Sequence, residues 1–179
     1  MQSGKIYICD ADQNSCQLLE KNLQTQGHQL VIFNQGNNLL QFLEGQDEEL
    51  PDLILVDMHL TDINGLDLLR QIKRLRPQLH VIPMNAFGTV RGAIEAMKQG
   101  ATDYLLKPFP PSELNNLVDK LIEHNKLVSE NRSLKAEIRR RFDPGQVVYK
   151  SPSFGQVLDL ARKVAASEAS ILVTGESGA

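Results

Sequence analysis

Leu53-Ile54-Leu55-Val56-Asp57 decides how this chain reads: four consecutive apolar residues closed by a carboxylate. A run that short, and apolar at every position, suits a strand covered on both faces; a half-exposed strand would alternate. Similar runs stand at residues 6–9, 30–33, 81–84 and 104–106. Between them the apolar period lengthens to that of a helix. Residues 13–26 carry Cys16, Leu19 and Leu23, and residues 36–43 carry Leu39, Leu40 and Leu43. Residues 65–75 carry Leu68, Leu69, Ile72 and Leu75, and residues 89–99 carry Val90, Ala93, Ile94 and Met97. Strands alternating with helices of this length predict βα units and a parallel sheet. Five units in about 110 residues suit an α/β fold with a doubly wound five-stranded parallel sheet, since a closed eightfold barrel needs roughly 250 residues.

Composition narrows the class. The 179 residues are 41% hydrophobic and 23% charged with a net charge of −3, which excludes a disordered chain. No apolar run reaches the ~20 residues a bilayer span needs, and Met1-Gln2-Ser3-Gly4-Lys5 does not open a signal peptide. Two cysteines, Cys9 and Cys16, are too few for a disulfide framework, so the expected compartment is a reducing cytoplasm, without membrane contact. Five per cent aromatic residues and no Trp argue against a base-stacking nucleic-acid platform. Charge is uneven. Residues 1–123 carry ten Lys and Arg against sixteen Asp and Glu; residues 124–179 carry nine against six. Two regions with different partners are expected.

In open α/β sheets ligands bind beyond the carboxyl ends of the strands. Those ends carry Asp10-Ala11-Asp12, Asp57, Asn85 and Lys107-Pro108. Crowded carboxylates suit a hard cation such as Mg²⁺, and a lysine beside them suits a phosphoryl group. Phosphoryl transfer to a carboxylate is the chemistry that fits.

Asp10, Leu53-Ile54-Leu55-Val56-Asp57, Asn64-Gly65-Leu66 and the stretch Gly100-Ala101-Thr102-Asp103-Tyr104-Leu105-Leu106-Lys107-Pro108-Phe109 resemble the receiver domain of two-component response regulators across residues 5–122. The resemblance implies a flavodoxin-like sheet with Asp57 as phosphoacceptor. Mg²⁺ would be held by Asp10, Asp57 and the backbone carbonyl of His59, with Asp12 a further candidate. Lys107 and Asn85 would contact the phosphoryl group, Asn85 and Tyr104 would form the switch, and Lys107-Pro108 would be cis. Three positions depart from the family pattern. Ala11 stands where the second acid of the pair belongs, which implies a weakened Mg²⁺ site. Asn85 replaces the switch Ser or Thr. Pro83 removes a ladder donor from an internal strand. A phosphorylated receiver and a phosphorylation-independent pseudo-receiver, acting as a dimerisation and interaction module, both stay open. A haloacid-dehalogenase-like phosphatase also uses an Asp after a strand, but wants a second acid where His59 stands. Taken singly, Asp12 also reads as a helix cap, Cys9 as a small buried hydrophobe, and His59 and His124 as solvent-facing or seam residues.

From Ser112 to Asp143-Pro144-Gly145 no strong breaker occurs, too long a span for an ordinary globular helix. Its second half has heptads, with His124, Asn131 and Ile138 at a, and Leu127 and Leu134 at d. Glu130 at g faces Lys135 at e of a partner, as in a parallel homodimer. A helix packed on its own domain is the alternative. Arg139-Arg140-Arg141 suits either the helix dipole or DNA.

Beyond the break, Val147-Val148-Tyr149 and residues 170–174 read as strands and residues 153–166 as a helix. Gly175, Glu176, Ser177 and Gly178 form the first half of a phosphate loop whose lysine is not reached by Ala179, so ATP binding and hydrolysis are not expected. Residues 147–179 resemble the opening of the AAA+ ATPase of sigma-54-dependent activators, and the order of parts is that of the NtrC type. The expected division is a receiver over 1–122, a coiled-coil linker over 123–143 and an AAA+ fragment over 144–179. A histidine kinase is the implied partner. Sigma-54 RNA polymerase and DNA would engage only segments outside this chain.

Overall fold

In the computed structural model of the chain the described residues are 3–45, 50–141 and 150–165, with Leu172, Thr174 and Gly175. They fall into two compact units, Met1–Glu130 and Asn131–Ala179.

The first unit alternates strand and helix: β1 (Lys5–Cys9), α1 (Gln13–Thr25), β2 (Gln29–Phe33), α2 (Gly36–Gly45), β3 (Leu53–Asp57), α3 (Gly65–Leu75), β4 (His80–Asn85), α4 (Val90–Lys98), β5 (Leu105–Leu106) and the start of α5 (Pro111–Arg141). The sheet is parallel, in the order β2-β1-β3-β4-β5. This is the flavodoxin-like doubly wound fold.

The two-residue period of a strand explains the layering. Ile6, Ile8, Leu53, Leu55, Ile82 and Met84 point to one face, where Leu19 and Leu23 of α1 and Leu114 and Val118 of α5 cover them. Tyr7, Cys9, Ile54, Val56 and Val81 point to the other, under Leu39 and Leu43 of α2, Leu68 and Ile72 of α3 and Ala96 of α4. Every residue from Leu53 to Val56 is fully buried, as a strand between two helical layers requires.

Pro83 costs this sheet little. The carbonyls of Val81 and Asn85 accept from Thr102 N and Lys107 N on the β5 side. Strand alternation aims the nitrogen of Pro83 the same way, and β5 pairs only with Met84 and Asn85. The missing donor therefore falls where no ladder has begun.

Helix boundaries shift slightly from expectation. α5 opens at Pro111 rather than Ser112, a position that suits a residue without a free N–H. β5 omits Tyr104, whose N–H turns to the Asp103 side chain. The N-terminus of α2 is held from afar, since Gly36 N and Asn37 N donate to the two oxygens of Asp62 at 3.1 and 2.8 Å. In the second unit, α6 (Pro152–Val164) starts with proline in its first turn and leaves Phe154, Val157 and Leu160 exposed. The strand expected over residues 147–149 lies outside the described residues. Of the strand expected over 170–174, only Leu172 and Thr174 are described, and they belong to no strand.

Candidate functional site

The sheet order reverses at β1, so the carboxyl ends of β1 and β3 flank the natural ligand crevice. Asp10 follows β1 directly and Asp57 ends β3. Lys107, just past β5, reaches both carboxylates: its Nζ lies 2.6 Å from Asp10 Oδ2 and 2.6 Å from Asp57 Oδ2. A cleft of about 430 Å³ opens over them, lined by Asp10, Ala11, Asp57, His59, Phe87 and Lys107 among others.

Asp10 is 1% exposed. Burial alone would raise its pKa, but hydrogen bonds from Lys107, Ser15 and the Asp12 N–H outweigh it and hold the carboxyl below its ordinary value. Burial likewise opposes the charge of Lys107, and the two aspartates overcome it and raise the pKa of the ammonium. One ammonium thus faces two carboxyl groups and can offset the charge of only one. Behind this trio, burial pushes the Cys9 thiol up to about 12, with Asp62 and Asp10 adding to the effect; Cys9 is an inert core residue.

Asp12 and His59 line the same cleft. Asp12 caps α1, its Oδ1 accepting from Asn14 N at 3.0 Å. The backbone N–H of His59 donates to Asp57 Oδ1 at 2.7 Å, turning the loop sharply after β3. That turn passes so close to α3 that a Cβ on Gly65 would lie 2.4 Å from the Met58 backbone, which explains a glycine after the Asn64 cap. The Lys107-Pro108 peptide is cis.

Asn85 and Tyr104 are joined directly. Asn85 Nδ2 donates to Tyr104 Oη at 2.8 Å, while Asn85 Oδ1 accepts from Phe87 N at 3.0 Å. The Phe87 N–H can only donate, so the amide orientation is fixed. His59 Nε2 lies 3.0 Å from the same Oδ1 and must therefore carry its hydrogen. Sequence reasoning missed this side-chain role of His59, and also Ser15, which donates to Asp10 Oδ2 at 2.7 Å. A hydroxyl in the first turn after a strand-end Asp was the available signal for Ser15. For His59 there was none, because its partner lies 26 residues away.

The remaining candidates lie elsewhere. Leu127, Leu134 and Ile138 are 57–59% exposed along α5, and Asn131 is exposed beside them. Of the phosphate-loop residues only Gly175 is described; Glu176, Ser177 and Gly178 lie outside the described residues, as does the Asp143-Pro144-Gly145 break.

Comparison with known proteins agrees with this geometry. The response regulator receiver domain family matches residues 6–119. The transcriptional regulatory protein ZraR of Escherichia coli O157:H7 is 33% identical over 173 residues, covering 97% of this chain and 37% of that protein. The DNA-binding transcriptional regulator NtrC of Klebsiella pneumoniae is 34% identical over 178 residues, 99% of this chain and 36% of its own length. Among solved structures, NtrX from Brucella abortus superposes with a TM-score of 0.65 at 26% identity, over 99% of this chain and 38% of that one. The chain thus spans little more than a third of the length of the curated relatives it matches. No helix among the described residues is long and apolar enough to cross a membrane. With its strand-end aspartates, bridging lysine and sheet order, the chain belongs to the response regulator receiver domain family, and its relatives are regulators of the NtrC type.

Proposed function

We propose that this chain is the receiver-bearing regulatory part of a cytoplasmic sigma-54-dependent transcriptional activator, phosphorylated at Asp57 by a histidine kinase. The observation that carries the reading is a single ammonium held between two carboxylates, 2.6 Å from each, beneath an open cleft at the switch point of the sheet.

A carboxylate oxygen of Asp57 attacks the phosphorus of the donor. The bond from phosphorus to the donor breaks, its electron pair leaves with the donor, and an acyl phosphate remains on Asp57. Lys107 supplies a fixed positive charge where the phosphoryl oxygens arrive. Asn85 gives one amide hydrogen to Tyr104 and keeps a second for a phosphoryl oxygen. The incoming group would thereby be linked to Tyr104 without a hydroxyl having to rotate.

Receiver domains take Mg²⁺ at this position, where it neutralises phosphoryl charge. Mg²⁺ accepts one or two carboxylates with waters and phosphate oxygens, so Asp10, Asp57 and the His59 carbonyl fit it. The set is thin. Asp10 already accepts three hydrogen bonds, Ala11 offers no ligand, and no group of three His, Cys, Asp or Glu among the described residues is arranged for a metal. We read this as a weakened Mg²⁺ site.

A second reading, a pseudo-receiver regulated without phosphate, is favoured by the engagement of Asn85 with Tyr104, Phe87 and His59 and by Ala11, which brings no ligand for Mg²⁺ to the cleft. Incubation with a small phosphodonor and Mg²⁺ separates the two. The expected result is a mass gain of one phosphoryl group, stable in acid, labile in base and absent from Asp57→Asn. An unmodified protein at saturating donor leaves only the pseudo-receiver.

The partner we propose for α5 is a second copy of the chain. Successive residues turn by about 100°, so the stripe of Leu127, Asn131, Leu134 and Ile138 lies roughly opposite the Leu114, Val118 and Leu121 stripe that the sheet buries. The exposed stripe argues against a helix wrapped on its own domain and for a two-stranded seam. Sedimentation across concentration is expected to show a dimer, and Leu134→Glu a monomer. A wild-type monomer at high micromolar concentration would overturn the seam. Phosphorylation would act by shifting the population of dimer geometries.

A further inference from the structure

Asp10 is gripped more tightly than its place in an open cleft requires. Lys107 Nζ lies 2.6 Å from its Oδ2, Ser15 Oγ donates to the same Oδ2 at 2.7 Å, and the Asp12 N–H donates to Oδ1 at 2.9 Å. Cys16 Sγ also donates to the Asp10 backbone carbonyl, at 3.4 Å. Asp12 caps α1, and Ser15 and Cys16 stand in the first turn of that helix. One helix end thus holds Asp10 at both its carbonyl and its carboxylate.

The grip decides which oxygen meets the cleft. Lys107 spans from Asp10 Oδ2 to Asp57 Oδ2, and all three residues line the cleft together with Ser15, so Oδ2 is the oxygen turned toward the phosphoacceptor. The bond from Asp12 N to Oδ1, on a side chain only 1% exposed, keeps the carboxylate from presenting its other oxygen instead. Each carboxylate oxygen offers about two lone pairs. On Oδ2 one is taken by Lys107 and the other by Ser15. A cation arriving between Asp10 and Asp57 needs one of them, whether it meets Oδ2 directly or through a coordinated water. The ammonium is held by Asp57 as well and makes the stronger, charge-assisted bond. The neutral hydroxyl is therefore the group that a cation displaces.

We propose that Ser15 is a positioning residue that sets the Mg²⁺ affinity of this site, its hydroxyl filling the lone pair of Asp10 Oδ2 that the ion needs and holding the carboxylate for Lys107 instead. The inference rests on the reading of the cleft as a Mg²⁺ site and stands whether or not Asp57 is phosphorylated. It separates two causes of weak binding. Ala11 withholds a ligand, and Ser15 occupies a ligand that is present. Without metal, the hydroxyl keeps the buried oxygen of Asp10 satisfied.

Calorimetric titration of the full chain with Mg²⁺, in the absence of any phosphodonor, tests this. Ser15→Ala opens the lone pair and is expected to bind Mg²⁺ about fivefold more tightly than the wild type, the equivalent of roughly 1 kcal/mol. Ser15→Thr keeps the hydroxyl and is expected to bind as the wild type does, a recovery that a packing effect alone would not give. At equal Mg²⁺ concentration the melting temperature of Ser15→Ala should rise by more than that of the wild type. Adding Asp57→Asn to Ser15→Ala is expected to remove the gain, which places the ion in this cleft. Equal affinity in Ser15→Ala and the wild type overturns the role of Ser15 and leaves the Mg²⁺ site standing. Weaker binding by Ser15→Ala does the same, since the hydroxyl would then be orienting Asp10 for the ion, and so does a Ser15→Thr that follows the alanine variant. No binding to any of these proteins, or a gain that survives Asp57→Asn, removes the Mg²⁺ site itself and the role of Ser15 with it.

Discussion

Replacing Lys107 with methionine is expected to destabilise the receiver by about 3 kcal/mol at neutral pH, because removing one partner leaves a buried charge uncompensated. The side chain of Asp10 is 1% exposed and that of Asp57 13%, so water cannot take over the work of the ammonium. The pH dependence carries the sharper signature. With Lys107 present, Asp10 is held below its ordinary value. Its contribution is complete above that value and is lost as pH falls through the lowered one. Without Lys107, burial and the like charge of Asp57 act on Asp10 unopposed by a cation and push its carboxyl upward. Acidification then relieves the variant while it weakens the wild type. Urea unfolding at about pH 7.5 and about pH 5 should show the stability gap narrowing toward acid. A gap of equal size at both values would mean that methionine disturbs packing and that the charge bridge contributes nothing of its own.

The same trio explains what could be read from the amino-acid order. Each strand announces itself as a short apolar run, and each run ends where a polar residue breaks it. Asp10, Asp57, Asn85 and Lys107 were therefore visible as strand-end residues before any tertiary contact was known, and one topological rule placed those ends together. What stayed hidden depends on partners distant in sequence and on backbone geometry. Pro83 reads as a defect in an internal strand, and its harmlessness follows only from how late β5 joins the ladder. Asp62 reads as a loop residue, yet it holds the amino end of α2 from 25 and 26 positions away. Asn125 falls in a polar stretch of α5 and reads as surface, while its amide ties the helix to β4 and to the chain before β3. Period and capping rules are local. They find elements and the ends of elements, and they are silent on polar side chains that close one element onto another.

Ala11 is the residue whose change should alter the site most. It lines the cleft beside Asp10 and brings no donor to it. In Ala11→Asp a third carboxylate meets a single lysine. Without metal, the added like charge is expected to cost about 1 kcal/mol of stability. With Mg²⁺ the balance reverses: a carboxylate about 4 Å from a divalent cation gains several kcal/mol at an effective dielectric near 20, before desolvation is subtracted. Retention of about 1.4 kcal/mol would tighten Mg²⁺ binding tenfold, and calorimetric titration reads this directly. Linkage makes a second demand, that Mg²⁺ raise the melting temperature of Ala11→Asp by more than that of the wild-type chain at equal concentration. Phosphorylation by a small donor should accelerate in parallel, since the metal neutralises the charge that Lys107 otherwise meets alone. Equal Mg²⁺ affinity in the two proteins would instead place the limit at Asp10, whose three accepted hydrogen bonds would then compete with the ion for the same oxygens.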